Sequence, residues 1–288
     1  MKRAIMVCMA LLLLLPITSY AASIGGAETA GQGKFRTTVD VEFGFDRDLD
    51  LDSATEKAYE NGNLKWKDDI EDYQDFDDAE ISELNRVMVK ISYGIIDYLD
   101  VYARIGYAWY DSEADFSNLV QPAEFTVMNG GAAETTFGAD GDSPVWGIGL
   151  KGAYEFGNNW LVGADLQYLS QRGENTFKRS YDDYIESCTL ETTIDEWHIA
   201  PYAGRKMGNF TAYAGVKYSD IDVENEISFK EKYPGGSYKE KETIELEADD
   251  NVGVFLGLDY KLANRFAFNI EGRFIDESAM SLGAAYLF

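Results

Sequence analysis

The chain has little of what most reaction chemistry is built from. Its 288 residues hold one histidine, two cysteines and five prolines. Cys8 lies in an apolar run at the amino terminus, so removal of that run leaves Cys188 as the sole thiol and no intramolecular disulfide can form. The sequence places Cys188 as a free thiol in a loop. There is no zinc-ligand spacing, P-loop or dinucleotide-binding glycine pattern, and no cofactor is expected. Positive charge is also scarce: 25 Lys and Arg stand against 51 Asp and Glu, a net charge of −26. That excludes generic nucleic-acid binding, which needs clustered cations against phosphates. No segment approaches the roughly twenty apolar residues of a spanning helix.

What is present points elsewhere. Aromatic residues make up 14% of the chain and glycines number 27, a composition suited to many strands rather than to helices. Lys2 and Arg3 precede the apolar run from Ala4 to Pro16, and Ser19-Tyr20-Ala21 supplies small residues at a cleavage position, the pattern of an export signal. Residues 1–21 therefore read as a signal peptide and 22–288 as one domain. Loss of Lys2 and Arg3 takes the charge from −26 to −28.

Ten segments alternate apolar and polar residues with period two, as strands do when one face meets lipid and the other a polar interior. The first sets Phe35, Thr37, Val39, Val41, Phe43 and Phe45 against Arg36, Thr38, Asp40 and Glu42. The last sets Met280, Leu282, Ala284, Tyr286 and Phe288 against Ser281, Gly283 and Ala285. The segment from Trp197 to Gly204 is the weakest, because Pro201 removes a ladder donor. Short turns rich in Gly and Asn, such as Gly157-Asn158-Asn159 and Ala263-Asn264, alternate with long polar stretches at 46–82, 112–143, 172–194 and 224–248. That rhythm predicts an all-β, antiparallel, up-and-down transmembrane barrel of about ten strands, with tight turns on one side and long loops on the other. Hairpins hidden in 46–82 or 172–194 leave eight or twelve strands open. An even count puts both termini on the short-turn side, the periplasm.

The aromatics then fall into two girdles. Phe35, Tyr93, Phe156, Trp160, Phe210, Tyr260, Phe266 and Phe288 gather at the short-turn rim. Phe45, Trp109, Trp146, Tyr168, Trp197, Tyr218 and Phe274 gather at the other, as interfacial aromatics do. Inward positions carry Arg36, Asp40, Glu42, Arg86, Lys90, Arg104, Lys151, Glu155, Asp165, Lys217, Asp259, Glu271 and Arg273. In a narrow barrel such groups form either a packed, salt-bridged interior or the lining of a slender ion path, and geometry favours the packed interior.

Residues 46–80 contain fourteen Asp or Glu against four Lys or Arg. Asp46, Asp48, Asp50 and Asp52 continue the inward register of the first strand and are the weak candidates for a divalent cation. They lack the glycine and the distal Glu of an EF-hand loop, so a solvated, self-repelling loop is the simpler reading and no metal is expected.

The carboxyl-terminal strand ending on Phe288 resembles the last strand of bacterial outer-membrane β-barrels. That resemblance implies that Tyr286 and Phe288 are part of the signal read by the barrel-assembly machinery. The whole mature chain resembles the small outer-membrane barrels that include OmpA-like and opacity-type surface proteins. This implies a monomer in the outer membrane of a Gram-negative cell, with lipid and lipopolysaccharide around it and external loops that meet cations or basic ligands. His198 with Glu196 weakly resembles the acid-x-His element of omptin proteases, with Asp46/Asp48 or Asp140/Asp142 as the second acidic pair. The acid is Glu rather than Asp, and the strand position is shifted. The expected function is thus a non-enzymatic surface or envelope protein acting through acidic external loops. A narrow, weakly cation-selective porin-like channel is the alternative and an omptin-like protease a distant third.

Overall fold

A computed structural model describes residues 23–69, 79–115, 136–180, 185–262, 265–276 and 278–288. The expected signal peptide, the Ala263-Asn264 turn and the middle of the 112–143 stretch lie outside them. Twelve strands follow in chain order: β1 (Phe35–Glu60), β2 (Asn63–Asp69), β3 (Ala79–Ile96), β4 (Leu99–Asp115), β5 (Thr136–Phe156), β6 (Trp160–Ser180), β7 (Ile185–Met207), β8 (Phe210–Tyr233), β9 (Gly236–Ala248), β10 (Val252–Lys261), β11 (Phe266–Phe274) and β12 (Ser278–Leu287). Ten of them close an antiparallel barrel. Each pairs with the next, leaving out β2 and β9, and β1 returns to β12 from Arg36↔Leu287 to Phe45↔Ser278. No edge remains in the membrane, the condition lipid imposes on a sheet.

The outward rows are the apolar ones. Ile105 is 65% exposed and Ile148 57%, while Arg104, next to Ile105 on β4, is 2% exposed. Both girdles form as ring contacts. Phe35–Tyr93, Phe210–Tyr260 and Tyr286–Phe288 each lie 4.8 Å apart at one rim. Tyr107–Trp109, Trp197–Tyr218 and Trp146–Tyr168 lie 5.4, 5.5 and 5.7 Å apart at the other. Asn158 and Asn159 take positive φ in the β5–β6 turn, where Asn tolerates the left-handed region. Pro201 sits in the middle of β7 and is accommodated: it pairs with Ala164 of β6, and the ladder to β8 skips from Ile199↔Tyr218 to Tyr202↔Gly215.

One packing device recurs inside. Four inward tyrosines each lie across an inward glycine on the facing strand: Tyr102 over Gly149, Tyr110 over Gly141, Tyr202 over Gly163 and Tyr213 over Gly257. A glycine leaves room for the neighbouring ring, and the ring covers the gap that the missing side chain would leave. At Gly257 a Cβ would stand 2.1 Å from the Tyr213 ring. Moving that ring breaks its hydroxyl's bond to Glu271 at 2.9 Å and the bond Asn269 donates to it at 2.7 Å. Gly257→Ala is expected to cost about 1–3 kcal/mol through overpacking, measured by urea unfolding. Gly157→Ala is the control, since a Cβ there meets nothing within 4 Å; equal midpoints for the two would refute the device.

Where described, the stretches expected as long loops are mostly strands. β1 runs on to Glu60 and turns into β2, β6 and β7 pair up to Ser180↔Ile185, and β8 and β9 pair up to Tyr233↔Gly236. The ladder of β5 with β6 stops at Val145↔Gln171, whereas β4–β5 continues to Asp115↔Thr136. Beyond the outer girdle the barrel therefore opens between β5 and β6, while β1 stays paired with β3 up to Leu49↔Ala79 and takes up β2 from Thr55↔Asp69. β9 pairs with both β8 and β1, spanning the gap above the shorter β10, β11 and β12.

The reason is a change of solvent. Above the outer girdle water replaces lipid, so the interior takes the apolar side chains. Leu49, Ile81, Leu84, Ile194, Ile221, Val223, Ile244 and Leu246 form a buried cluster there. Most strands make the change by composition alone. β3 also shifts register against β4 between Ile81 and Glu83, and on β1 the buried row passes from Glu42 to Leu49. This overturns the expectation that the aspartates continue the inward row: Asp50 and Asp52 are exposed on the outside. Asp46 and Asp48 lie on β1, with side chains outside the described ones.

Candidate functional site

The lumen is full, and part of what fills it is the chain's own amino-terminal segment. Residues 23–33 run through the barrel ahead of β1, with Ser23, Ile24 and Ala27 at 1, 2 and 0% exposure. The segment is nearly all small residues. Gly25 and Gly26 have φ of +63° and +96°, and a Cβ at Gly25 would stand 2.2 Å from the Lys90 ammonium. Its backbone is bonded by the barrel wall. The amides of Ser23, Ile24, Ala27 and Ala30 donate to Glu42, Glu271, Asp259 and Asp100 at 3.0, 3.2, 2.8 and 2.8 Å. Its carbonyls accept from cations: Ser23 from Arg104 at 3.1 Å, Ile24 from Lys90 at 2.9 Å, and Gly26 from Lys151 at 2.5 Å. Tyr202 donates to the Ala27 carbonyl at 2.8 Å. Carboxylates satisfy donors and cations satisfy acceptors, so the plug uses both signs of lumen charge.

Twelve of the thirteen expected lumen residues face inward as a connected set. Arg104 bridges Glu42 at 2.7 Å and Asp40 at 3.3 Å, and also donates to Gln167 at 3.0 Å. Arg86 pairs with Glu196 at 3.0 Å, Lys151 with Asp165 at 3.5 Å, and Arg273 lies 3.6 Å from Glu271. Lys217 pairs with Asp276 at 2.8 Å. Arg36 donates to the carbonyls of Glu28 and Thr29 at 2.5 and 2.9 Å. Glu155 departs from the set. It keeps the inward parity but sits at the short-turn rim, 45% exposed, paired with Lys206. Sequence reasoning missed Asp100, Glu196 and Asp276 as members and missed the plug altogether. Parity finds Asp100 and Glu196: Asp100 is in step with inward Arg104, and Glu196 adjoins outward Trp197.

His198 is 0% exposed, with its ring nitrogens 3.6 Å from Asp165 and 3.8 Å from Glu196. It is an interior residue of the lumen network. Of the acids expected as a second omptin element, Asp142 does not meet it: it is exposed and accepts from Tyr107 on the outer surface, while the side chains of Asp46, Asp48 and Asp140 lie outside the described ones. Cys188 is likewise not in a loop. It lies on β7 facing Phe229, free and 7% exposed, and burial pushes its thiol up from the ordinary range. Among the described residues no group of three or more His, Cys, Asp or Glu could hold a metal ion. Tyr286 and Phe288 pack edge-on at the short-turn rim, and the Phe288 amide donates to the Phe35 carbonyl at 2.9 Å.

The outer extension carries its own electrostatics. Burial, then the neighbouring Glu240, raises the Glu242 carboxyl above its ordinary range. Burial also raises Asp222, followed by Asp220, Asp195, Asp52 and Glu245. An acid raised in the folded state gives up stability as pH climbs through its folded value, because the unfolded chain ionises at lower cost. The β8–β9 hairpin should therefore hold tighter near pH ~4.5 than near pH ~7, around and above the ordinary carboxylate range. Amide exchange at Ile244 and Leu246, corrected for intrinsic rate and referred to Leu256, measures this. Protection that falls on acidification would contradict it.

The fold resembles solved barrels only loosely. The outer membrane protein OprG from Pseudomonas aeruginosa aligns at 11% identity, covering 91% of this chain and 99% of that one, with a TM-score of 0.36. The outer membrane protease OmpT from Escherichia coli aligns at 10%, covering 88% and 95%, with a TM-score of 0.40. The toluene transporter TodX from Pseudomonas putida aligns at 9%, covering 94% of each, with a TM-score of 0.33. No curated protein matches the chain in sequence. The family profile of the outer membrane protein beta-barrel domain matches residues 120–286, more than half of the chain, and the closed ten-strand barrel described above is that domain's architecture: the chain belongs to this family and is an outer-membrane β-barrel protein.

Proposed function

We propose that the protein is a non-enzymatic surface or envelope protein, a sealed barrel that holds an extracellular β-extension out from the bacterial outer membrane for contact with ligands or surfaces. The observation that carries this reading is the plug. Ser23–Ala30 occupies the lumen with its backbone bonded to the wall, so the interior serves as a core. The burial of His198 supports the absence of a proteolytic site at the mouth, because no peptide can reach it there. Exposed acids just beyond the outer girdle, among them Asp222, Glu224, Glu245 and Glu247, supply sites for cations or basic ligands at the level of lipopolysaccharide headgroups. With the short turns in the periplasm, Tyr286 and Phe288 lie where the assembly machinery would read them, and processing near Ala22 leaves the new terminus close to Ser23 inside the barrel. A narrow, weakly cation-selective channel remains the second reading, and it requires the plug to leave.

The experiment trims the extension and keeps the barrel. Residues 226–243 are replaced by Asn-Gly between the facing pair Asn225 and Ile244, and residues 56–68 by Asn-Gly between the facing pair Thr55 and Asp69, a turn suited to hairpins. Cells displaying the trimmed protein should lose adhesion to surfaces that cells with the full chain bind, while heat-modifiable gel mobility persists. Unchanged adhesion would sink the reading.

A further inference from the structure

We propose that the outward face at the tip of the extension is a binding surface for an anionic polysaccharide arriving from outside the cell. The proposal rests on the reading of the extension as the contact surface, and names what it contacts. In a chain of net charge −26, this face is a lysine lattice. Lys67, Lys57 and Lys241 stand opposite one another across β2, β1 and β9, and Lys239 stands opposite Lys230 across β9 and β8. Directly opposed residues share a face, and like charges placed so destabilise a sheet. Neighbouring strands lie about 4.8 Å apart, so the ammonium groups form rows on the scale of the charge repeat along an anionic sugar chain.

Many of the carboxylates of this part of the sheet lie on its other face. Glu56 and Glu242 oppose each other on the inward face, as do Ala58 with Glu240 and Glu60 with Tyr238. Lys241 reaches Glu226 at 2.5 Å, but Lys230, Lys232 and Lys239 have no ion pair among the described residues. Burial, then the crowding of Lys230 and Lys241, outweighs Glu226 and pushes the Lys239 ammonium below the usual lysine range. Such a face is strained by its own charge and is relieved by a polyanion. Beside it, at the tip, lies a cavity of about 290 Å³ whose lining includes Tyr59, Lys230, Lys232 and Lys239 from this face and Glu231 and Tyr238 from the inward one. The Tyr59 ring among lysines suits a sugar chain, the ring meeting its C–H faces and the lysines its charges.

The charge order along the extension identifies the source. Below the lysines, on the same outward face, Asp222 opposes Glu247 and Glu224 opposes Glu245. That acidic band lies between the lysines and the membrane, and repels phosphate groups of the protein's own leaflet. Lys57 is twelve residues beyond Phe45, which pairs with Glu83 of β3, so the crown stands on the order of 30 Å above that level at ~3.3 Å per residue and a tilt of ~40°. A polymer approaching from the medium meets the crown first.

The test uses the full processed chain in phosphatidylcholine nanodiscs, with dextran sulfate, neutral dextran of the same length and lipopolysaccharide vesicles as probes. Dextran sulfate should bind and neutral dextran should not. K230Q/K232Q/K239Q should weaken dextran sulfate binding about tenfold, the sum of three exposed charge contacts of ~0.5 kcal/mol each. Removal of three charges near the other rim (K34Q/R205Q/R265Q) should change it less than about twofold by the same scale. Equal losses from the two triple variants, binding of neutral dextran, or displacement of dextran sulfate by lipopolysaccharide at lower charge concentration would each overturn the proposal. The two readings fail differently. If trimming the extension abolishes cell adhesion but the lysine triple leaves dextran sulfate binding intact, the lysine assignment alone falls. If trimming leaves adhesion intact, the surface-protein reading falls with it.

Discussion

Deleting Ser23–Ala30, so that Ala22 joins Gly31, should turn a silent barrel into one that conducts in discrete steps across a planar bilayer. The segment is an extended chain of small residues, and a strand's share of a sheet is about 4.8 Å wide. Its removal leaves a path of similar bore, wide enough for a small cation with part of its water. The groups it uncovers are charged. Arg104, Lys90 and Lys151 lose the carbonyls of Ser23, Ile24 and Gly26, while Glu42, Glu271, Asp259 and Asp100 lose amides. Both signs are uncovered in similar number, so selectivity between K⁺ and Cl⁻ should be weak. A deletion variant that is folded by gel mobility yet silent would mean that the wall residues collapse into the space, and the plug would then not be what seals the lumen. Wild-type conductance equal to the variant's would promote the channel reading over the surface-protein one.

The membrane half of this protein was legible because lipid enforces one rule on every strand. Apolar side chains face out, and their alternation with Arg36, Asp40, Arg104 or Glu271 gives strand, face and lumen together. The extension was not legible because that rule reverses where lipid ends. Leu49, Ile221, Val223, Ile244 and Leu246 are apolar residues facing in, with acids outward, and a search for apolar outward rows stops at the girdle. Lys239-Glu240-Lys241-Glu242 reads as a polar loop if only hydropathy is weighed. Its period is two in charge sign, the alternation of a strand with two differently charged faces. The plug was hidden for another reason. Ser23–Ala30 has no apolar pattern, and small residues after a leader look like a linker. Their smallness is what fits them into a lumen already occupied by tyrosines and long charged side chains. Cys188 is illegible for the same reason as the extension: the stretch around it reads as a loop and is a strand.

Removing the guanidinium of Arg104 should be among the most damaging single changes in the barrel. Its side chain is fully buried and holds Glu42 at 2.7 Å, Asp40 at 3.3 Å, Gln167 at 3.0 Å and the Ser23 carbonyl at 3.1 Å. The gain from such a cluster over an apolar core is small, because desolvation offsets attraction. Breaking it is a different matter: Arg104→Met leaves two neighbouring buried carboxylates without their shared cation, which costs about 3–5 kcal/mol. Lys90 stands on the facing position of β3 but is committed to the Ile24 carbonyl, so it compensates only in part. Urea unfolding of the variant, followed by tryptophan fluorescence in detergent or vesicles, should show a midpoint well below wild type. Adding Glu42→Gln to Arg104→Met should restore part of the loss, since it removes one stranded charge and leaves an amide that still accepts from the Ser23 backbone. If the single variant unfolds with wild type, Arg104 is solvated in the lumen and the interior is a wet passage; if the double variant is worse than the single, the carboxylate of Glu42 is held by groups other than Arg104, and the plug's own amides become the stronger partner.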